Sequence, residues 1–201
     1  MIAVLDYGIG NLRSAEKALQ NVGTDARLVT TASDAAGAVG VVLPGVGNFG
    51  RCIEALRDSG LDRAALDAIA AGIPFLGICV GMQMLYEGSE EAPTTKGLGV
   101  LRGTNRLLSD DVKRPQMQWN VLEKARPDSA VLAGLPDTTW MYFVHSYAPE
   151  ANDDVVATCD YGGTVVAAAE RDNVWATQFH PEKSGESGMQ LLRNFVARCA
   201  A

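Results

Sequence analysis

A chain of 201 residues, 47% hydrophobic and 20% charged, carries enough apolar material for one well-packed core. Its net charge of -7, with no basic cluster, excludes sequence-independent binding to a nucleic-acid backbone. No apolar run reaches membrane-spanning length, and the start Met1-Ile2-Ala3-Val4-Leu5-Asp6 lacks the cationic opening of a secretion signal, so a cytoplasmic protein is expected.

In chain order, residues 2–5 form a short apolar strand, ended by Asp6-Tyr7-Gly8-Ile9-Gly10-Asn11. A helix follows, with Leu12, Ala15, Leu19 and Val22 near the helical period, Asn11 or Ser14 as its cap, and Gly23 as its stop. Residues 27–31 read as a second strand, Ser33-Asp34 as the cap of a short helix, and residues 39–43 as a third strand. This alternation implies an α/β fold with a mixed, mostly parallel sheet and helices on both faces. The loop Pro44-Gly45-Val46-Gly47-Asn48-Phe49-Gly50 then leaves the carboxyl end of a parallel strand, where open α/β sheets bind ligands. Its glycines free backbone N–H groups to face an anion or a carbonyl oxygen. Helices over 52–57 and 61–70 lead on to the next strand.

Beyond Glu87 the texture changes. Residues 88–96 form a polar loop, and β-like runs follow at 100–101, 119–122, 139–147, 155–159, 164–168 and 174–179, separated by turn clusters. This half extends the sheet with antiparallel pairs. Met189, Leu192, Phe195, Val196 and Cys199 mark a closing amphipathic helix. With no linker, repeat or low-complexity tract, residues 1–201 read as one domain.

Between the two halves lies Pro74-Phe75-Leu76-Gly77-Ile78-Cys79-Val80-Gly81-Met82-Gln83-Met84-Leu85, an apolar strand running into a helix. Cys79 stands at the changeover inside a Gly-x-Cys-x-Gly frame, the pattern of a nucleophile elbow. The helix N-terminus favours a thiolate, and the Val80 N–H is placed to hold an oxyanion. The plainer reading of any single cysteine is a buried structural thiol, and Cys52, Cys79, Cys159 and Cys199, scattered without a C-x-x-C pair, all read as free thiols. A nucleophilic cysteine needs a base, and the base needs an acceptor to fix its tautomer. His180-Pro181-Glu182, straight after the last strand, supplies both. His145 is the competing base, but it lies in an apolar run with no acid beside it. The two histidines stand at no metal-ligand spacing, so neither a metal nor another cofactor is expected.

Gly-Ile-Cys-Val-Gly-Met-Gln and His-Pro-Glu-Lys-Ser resemble the nucleophile and His/Glu motifs of the class I glutamine amidotransferases. Asp6-Tyr7-Gly8-Ile9-Gly10-Asn11-Leu12, Pro44-Gly45-Val46-Gly47-Asn48-Phe49 and Tyr142-Phe143-Val144-His145-Ser146-Tyr147 are similar to the glutaminase subunits of imidazole glycerol phosphate synthases within that family. The resemblance implies that Cys79 attacks the side-chain amide of L-glutamine, that His180 shuttles the proton, and that Glu182 orients His180. It implies an oxyanion hole from the N–H of Val80 and one from Gly45, Val46 or Gly47, and a substrate cradle from Gln83 and the backbone of Ser146 and Tyr147. It further implies delivery of ammonia to a (β/α)8-barrel cyclase partner that makes imidazole glycerol phosphate and AICAR.

Trp119 and Lys183 are expected at the partner interface. A lysine aimed inward beside a needed histidine would weaken the base by charge repulsion, and a large amphipathic ring in a polar stretch suits an interface anchor. Pro115-Gln116-Met117-Gln118-Trp119-Asn120 departs from the usual Pro-His-Met-Gly-Trp-Asn, and Gln118 replaces a glycine that can serve a special backbone angle or a close approach. A glutaminase for another synthase, such as pyridoxal phosphate synthase, and a non-catalytic scaffolding homologue are the alternative readings.

Overall fold

The computed structural model of the chain describes residues 1–200. The elements are β1 (Ile2–Leu5), α1 (Leu12–Asn21), β2 (Ala26–Val29), α2 (Ala32–Ala35), β3 (Gly40–Gly45), α3 (Phe49–Asp58), α4 (Leu61–Ala70), β4 (Phe75–Cys79) and α5 (Val80–Leu85) in the first half. The second half adds β5 (Gly88–Ser89), β6 (Thr104–Leu107), β7 (Gln116–Val121), β8 (Glu123–Lys124), β9 (Trp140–His145), β10 (Tyr147–Pro149), β11 (Val155–Asp160), β12 (Thr164–Arg171), β13 (Val174–Thr177) and α6 (Gly185–Cys199). Short 3-10 turns occupy Ala130–Leu132 and Pro181–Lys183.

The central sheet has eight strands in the order β2-β1-β3-β4-β13-β12-β11-β8. The pairs from β2 to β13 are parallel, and those from β13 outward are antiparallel. β1, β3 and β4 are buried along their whole length, because helices cover both faces of the parallel half. α1 packs with α6 on one face, and α3 with α4 and α5 on the other. The second half also builds a three-stranded sheet β10-β6-β5 and a two-stranded ribbon β7–β9.

Several local expectations change. Asn11 makes no side-chain cap; its Oδ1 accepts from the Ser14 hydroxyl instead. Thr31, not Ser33-Asp34, caps α2 by accepting from the Asp34 N–H. Val100-Leu101 is not a strand: both N–H groups donate to the Leu85 carbonyl, which ties that loop to the end of α5. β6, a polar Thr-Asn-Arg-Leu run, carries no alternating signal and escapes sequence reading. The run at 139–147 breaks at Ser146 into β9 and β10, which pair with different partners. Gln118 sits in regular strand backbone opposite Phe143, exposed, with no positive φ, so neither the special backbone angle nor the close approach that a glycine would serve is needed there.

Candidate active site

Sheet order assembles the site. β4 lies between β3 and β13, with Gly45 opposite Cys79 and Thr177 opposite Ile78. The loop after β3, Cys79 at the end of β4 and His180 after β13 therefore meet at one carboxyl edge.

Cys79 occupies the N-cap position of α5 with φ 56° and ψ -113°, a strained backbone for a residue with a Cβ. The glycines two residues either side serve crowding rather than backbone angle, since neither has a positive φ. A Cβ on Gly81 would lie 1.8 Å from the Leu43 carbonyl oxygen, and one on Gly77 2.9 Å from the Gly81 carbonyl oxygen. Gly45 is likewise a close-approach residue, with a would-be Cβ 2.7 Å from the Gly81 nitrogen. In the loop beyond it, only Gly47 needs positive φ, at 88°.

His180 donates from Nδ1 to Oε1 of Glu182 at 2.8 Å, with both side chains buried. That bond leaves Nε2 as the ring's other nitrogen, buried and without a hydrogen-bond partner. Burial pulls the imidazolium down, but interaction with the Cys79 sulfur and the Glu182 carboxylate outweighs it and lifts the His180 pKa to about 9. The His-Pro-Glu turn is clamped in place. Ser184 donates to the His180 carbonyl at 2.6 Å and accepts from the Tyr142 N–H at 3.0 Å, while the His180 N–H donates to the Tyr142 carbonyl at 3.0 Å. Gly188 of α6 lets the turn approach, because a Cβ there would lie 1.9 Å from the Pro181 carbonyl oxygen.

A cavity of about 230 Å³ opens on Cys79 and His180, and Val46, Gly47, Val80, Gln83, Ser146 and Tyr147 stand in its wall. Gly45 does not line it. Both amide protons of Gln83 are engaged, by the Tyr147 carbonyl at 2.8 Å and Gln178 Oε1 at 3.0 Å, so that residue offers the cavity only its oxygen. The Leu108 N–H donates to the Ser146 carbonyl, which makes Leu107 and Tyr147 a non-hydrogen-bonded pair and leaves the Tyr147 N–H outside the ladder. His145 also lines the cavity but lacks the features of a base, having a carbonyl rather than a carboxylate on Nδ1. Burial holds its pKa down to about 4. Trp119 and Lys183 lie outside this cavity, both exposed. Among the described residues no cluster of three or more His, Cys, Asp or Glu side chains is placed to hold a metal, and no helix is long and apolar enough to cross a membrane.

The profile of the family described as "Glutamine amidotransferase class-I" matches residues 3–199. The chain belongs to the class I glutamine amidotransferases. Within that family it is 46% identical to the imidazole glycerol phosphate synthase subunit HisH of Salinibacter ruber, over 98% of this chain and 94% of that one. It is 47% identical to the subunit of the same name from Deinococcus radiodurans, over 96% and 92%. Among solved structures, one described as a glutamine amidotransferase superposes with a TM-score of 0.78 at 20% identity, covering 100% of this chain and 99% of that one. A chain of PurLQS from Thermotoga maritima gives 0.78 at 21% identity, covering 98% and 97%; at these identities the likeness speaks for the fold.

In this class I glutamine amidotransferase, two groups of the cavity wall, Glu91 and Val144, and one buried behind it, Gln178, were passed over by sequence reading. Glu91, from the loop read only as polar, reaches the wall and accepts the Phe49 N–H at 2.6 Å, tying that loop to the start of α3. Gln178 donates from Nε2 to the Cys79 sulfur at 3.8 Å, its orientation fixed by Gln83. The Val144 carbonyl accepts from the Cys79 thiol at 3.8 Å. Gln178 stands two residues before His180 and could have been suspected from that position; the other two carry no local signal. The Cys52 thiol, outside the wall, donates to the Val46 carbonyl at 3.3 Å and fixes that peptide of the glycine loop.

Proposed function

We propose that this chain, folded as one domain over residues 1–201, is the glutaminase subunit of an imidazole glycerol phosphate synthase, working in the cytoplasm in histidine biosynthesis. It hydrolyses L-glutamine to glutamate and hands the ammonia to a (β/α)8-barrel cyclase. The observation that carries this reading is the meeting of Cys79 and His180 in one cavity beside Val80, with Glu182 on the far nitrogen of His180.

In the first half-reaction Cys79 passes its thiol proton to Nε2 of His180 and attacks the carboxamide carbon as a thiolate, and the oxygen takes the negative charge toward the Val80 N–H and one from Val46 or Gly47. His180, held as imidazolium by Glu182, gives its Nε2 proton to the departing nitrogen, which leaves as ammonia. The C–N bond breaks and a γ-glutamyl thioester remains on Cys79. In the second half-reaction His180 takes a proton from water, the hydroxide displaces sulfur, and glutamate leaves. At the amino-acid end, Glu91 is the carboxylate of the cavity wall and suits the α-ammonium, and the free Tyr147 N–H suits the α-carboxylate. Gln83 serves this end by holding the Tyr147 carbonyl rather than by donating to substrate.

The cyclase docks on the outer face of the β7–β9 ribbon. By register Met117, Trp119 and Val121 share that face with Val144, Tyr142 and Trp140, and Met117, Trp119 and Trp140 are exposed. Val144 belongs both to this ribbon and to the cavity wall, so the ribbon links substrate site and interface. Lys183 follows Glu182 and points outward to solvent, free to meet a carboxylate of the partner.

The test is synthesis by the complex with the cyclase. Cys79→Ala abolishes product formation from glutamine while formation from added ammonium salt continues. Glutamine hydrolysis persisting in that variant would reject Cys79 as the nucleophile.

A further inference from the structure

The mechanism leaves one group in the cavity wall unused. His145 is buried, and its Nδ1 lies 2.9 Å from the Tyr147 carbonyl oxygen. A carbonyl only accepts, so the proton of the neutral ring sits on Nδ1 and Nε2 presents a bare lone pair. That Nε2 is buried with no hydrogen-bond partner. A buried acceptor without a donor is destabilising, and such a group calls for a partner the protein itself does not supply. The ring lines the same cavity as His180, the group that meets the departing amide nitrogen in the mechanism above. Cross-strand from it, Gln116 Oε1 is a second buried acceptor with no donor.

The reaction generates a species made of donors. The substrate carboxamide carries two N–H bonds, and ammonia carries three. We propose that Nε2 of His145 accepts an N–H of the nitrogen that glutamine gives up, first in the carboxamide and then in the released ammonia. This rests on the glutaminase reading above and adds a residue that selects carboxamide over carboxylate and receives the leaving group. A carboxylate in the same place would meet the lone pair with oxygen lone pairs and be repelled. Kept neutral by burial, the ring accepts from ammonia without taking a proton at neutral pH.

Only two histidines occur in the chain, which makes a direct observation practical. In Cys79→Ala protein labelled with ¹⁵N-histidine, in complex with the cyclase, the unprotonated Nε2 resonance of His145 should move upfield when glutamine is added to saturation. Glutamate should leave it in place. Saturating glutamine without any shift of that resonance overturns the proposal. Absence of glutamine binding by calorimetry removes the glutaminase reading, and this proposal with it. Kinetics give a second measurement on the Cys79-containing complex. His145→Leu should raise KM for glutamine about tenfold, the weight of one hydrogen bond, with kcat falling less. Glutamine consumed per synthase product should exceed one as ammonia escapes. His145→Gln, which keeps an acceptor at similar reach, should recover much of both losses. An unchanged KM and an unchanged ratio in His145→Leu would make His145 a structural histidine and overturn the proposal.

Discussion

His180 and His145 share one cavity wall and are driven to opposite protonation states: the first is raised to about 9 and the second lowered to about 4. Both are desolvated. His180 has the Glu182 carboxylate on Nδ1 and the Cys79 sulfur as neighbour, whereas His145 has only a carbonyl, which cannot repay the loss of hydration. One ring is thus held ready to donate a proton and the other to accept a hydrogen bond. Because His180 must be imidazolium to protonate the leaving nitrogen, kcat/KM for glutamine should show no break near the ordinary histidine value of about 6.5. It should fall as pH rises through about 9. A pH–rate profile of the complex, with a break in kcat/KM near 6.5, would contradict the assignment.

Stability should respond to His145 in the acid range. Its folded pKa is depressed, so between about 6.5 and about 4 the unfolded chain binds a proton that the folded chain refuses, and stability falls as pH falls. The His145→Gln protein lacks this loss. The urea midpoint of the original chain should drop relative to the variant through that window, by on the order of 3 kcal/mol at its acid end. Parallel curves for the two proteins would show that His145 is not held neutral.

Gly81→Ala is expected to prevent assembly of the elbow. The added carbon would lie 1.8 Å from the Leu43 carbonyl oxygen, a backbone atom in the middle of the sheet that has no room to yield. Destabilisation of more than about 4 kcal/mol is expected, in the range reserved for severe overpacking. Thermal denaturation of the purified variant measures it.

The triad members should fail unequally. Cys79→Ala should abolish glutamine hydrolysis, and His180→Ala should be nearly as damaging if the two act as a unit, as proposed above. Glu182→Gln keeps the position of the orienting group but loses its charge, so its glutaminase kcat should fall less than that of His180→Ala. Steady-state kinetics of the three complexes decide this ranking.

Trp119→Ala and Lys183→Ala should weaken association with the cyclase while leaving the melting temperature of the subunit alone nearly unchanged. Trp119 is 47% exposed and meets Tyr142 edge-on, 6.1 Å between ring centroids. Titration calorimetry against the cyclase and a melt of each variant give the two readings. A Trp119→Ala subunit that melts far lower yet binds normally would place that ring in the core.

The sequence alone determined what depends on neighbours within a few residues. The Gly-x-Cys-x-Gly frame announces a crowded strand-to-helix turn, the His-x-Glu pair announces an oriented base, and apolar runs alternating with 3.6-residue periods announce a parallel α/β half. It also marked the ring of Trp119 as out of place in a polar stretch. The tertiary structure alone decided what depends on strand order and register. β4 had to fall between β3 and β13 before Gly45 could face Cys79 and His180 could arrive beside it. Leu108 had to bond Ser146 before the Tyr147 N–H became free for a ligand. Glu91 and Val144 enter the cavity from segments whose local composition says only loop and strand. The carboxylate on His180 was legible because Glu182 stands two residues from it. The unsatisfied lone pair of His145 was not, because a missing partner is a property of the space around an atom and no spacing of residues along a chain encodes it.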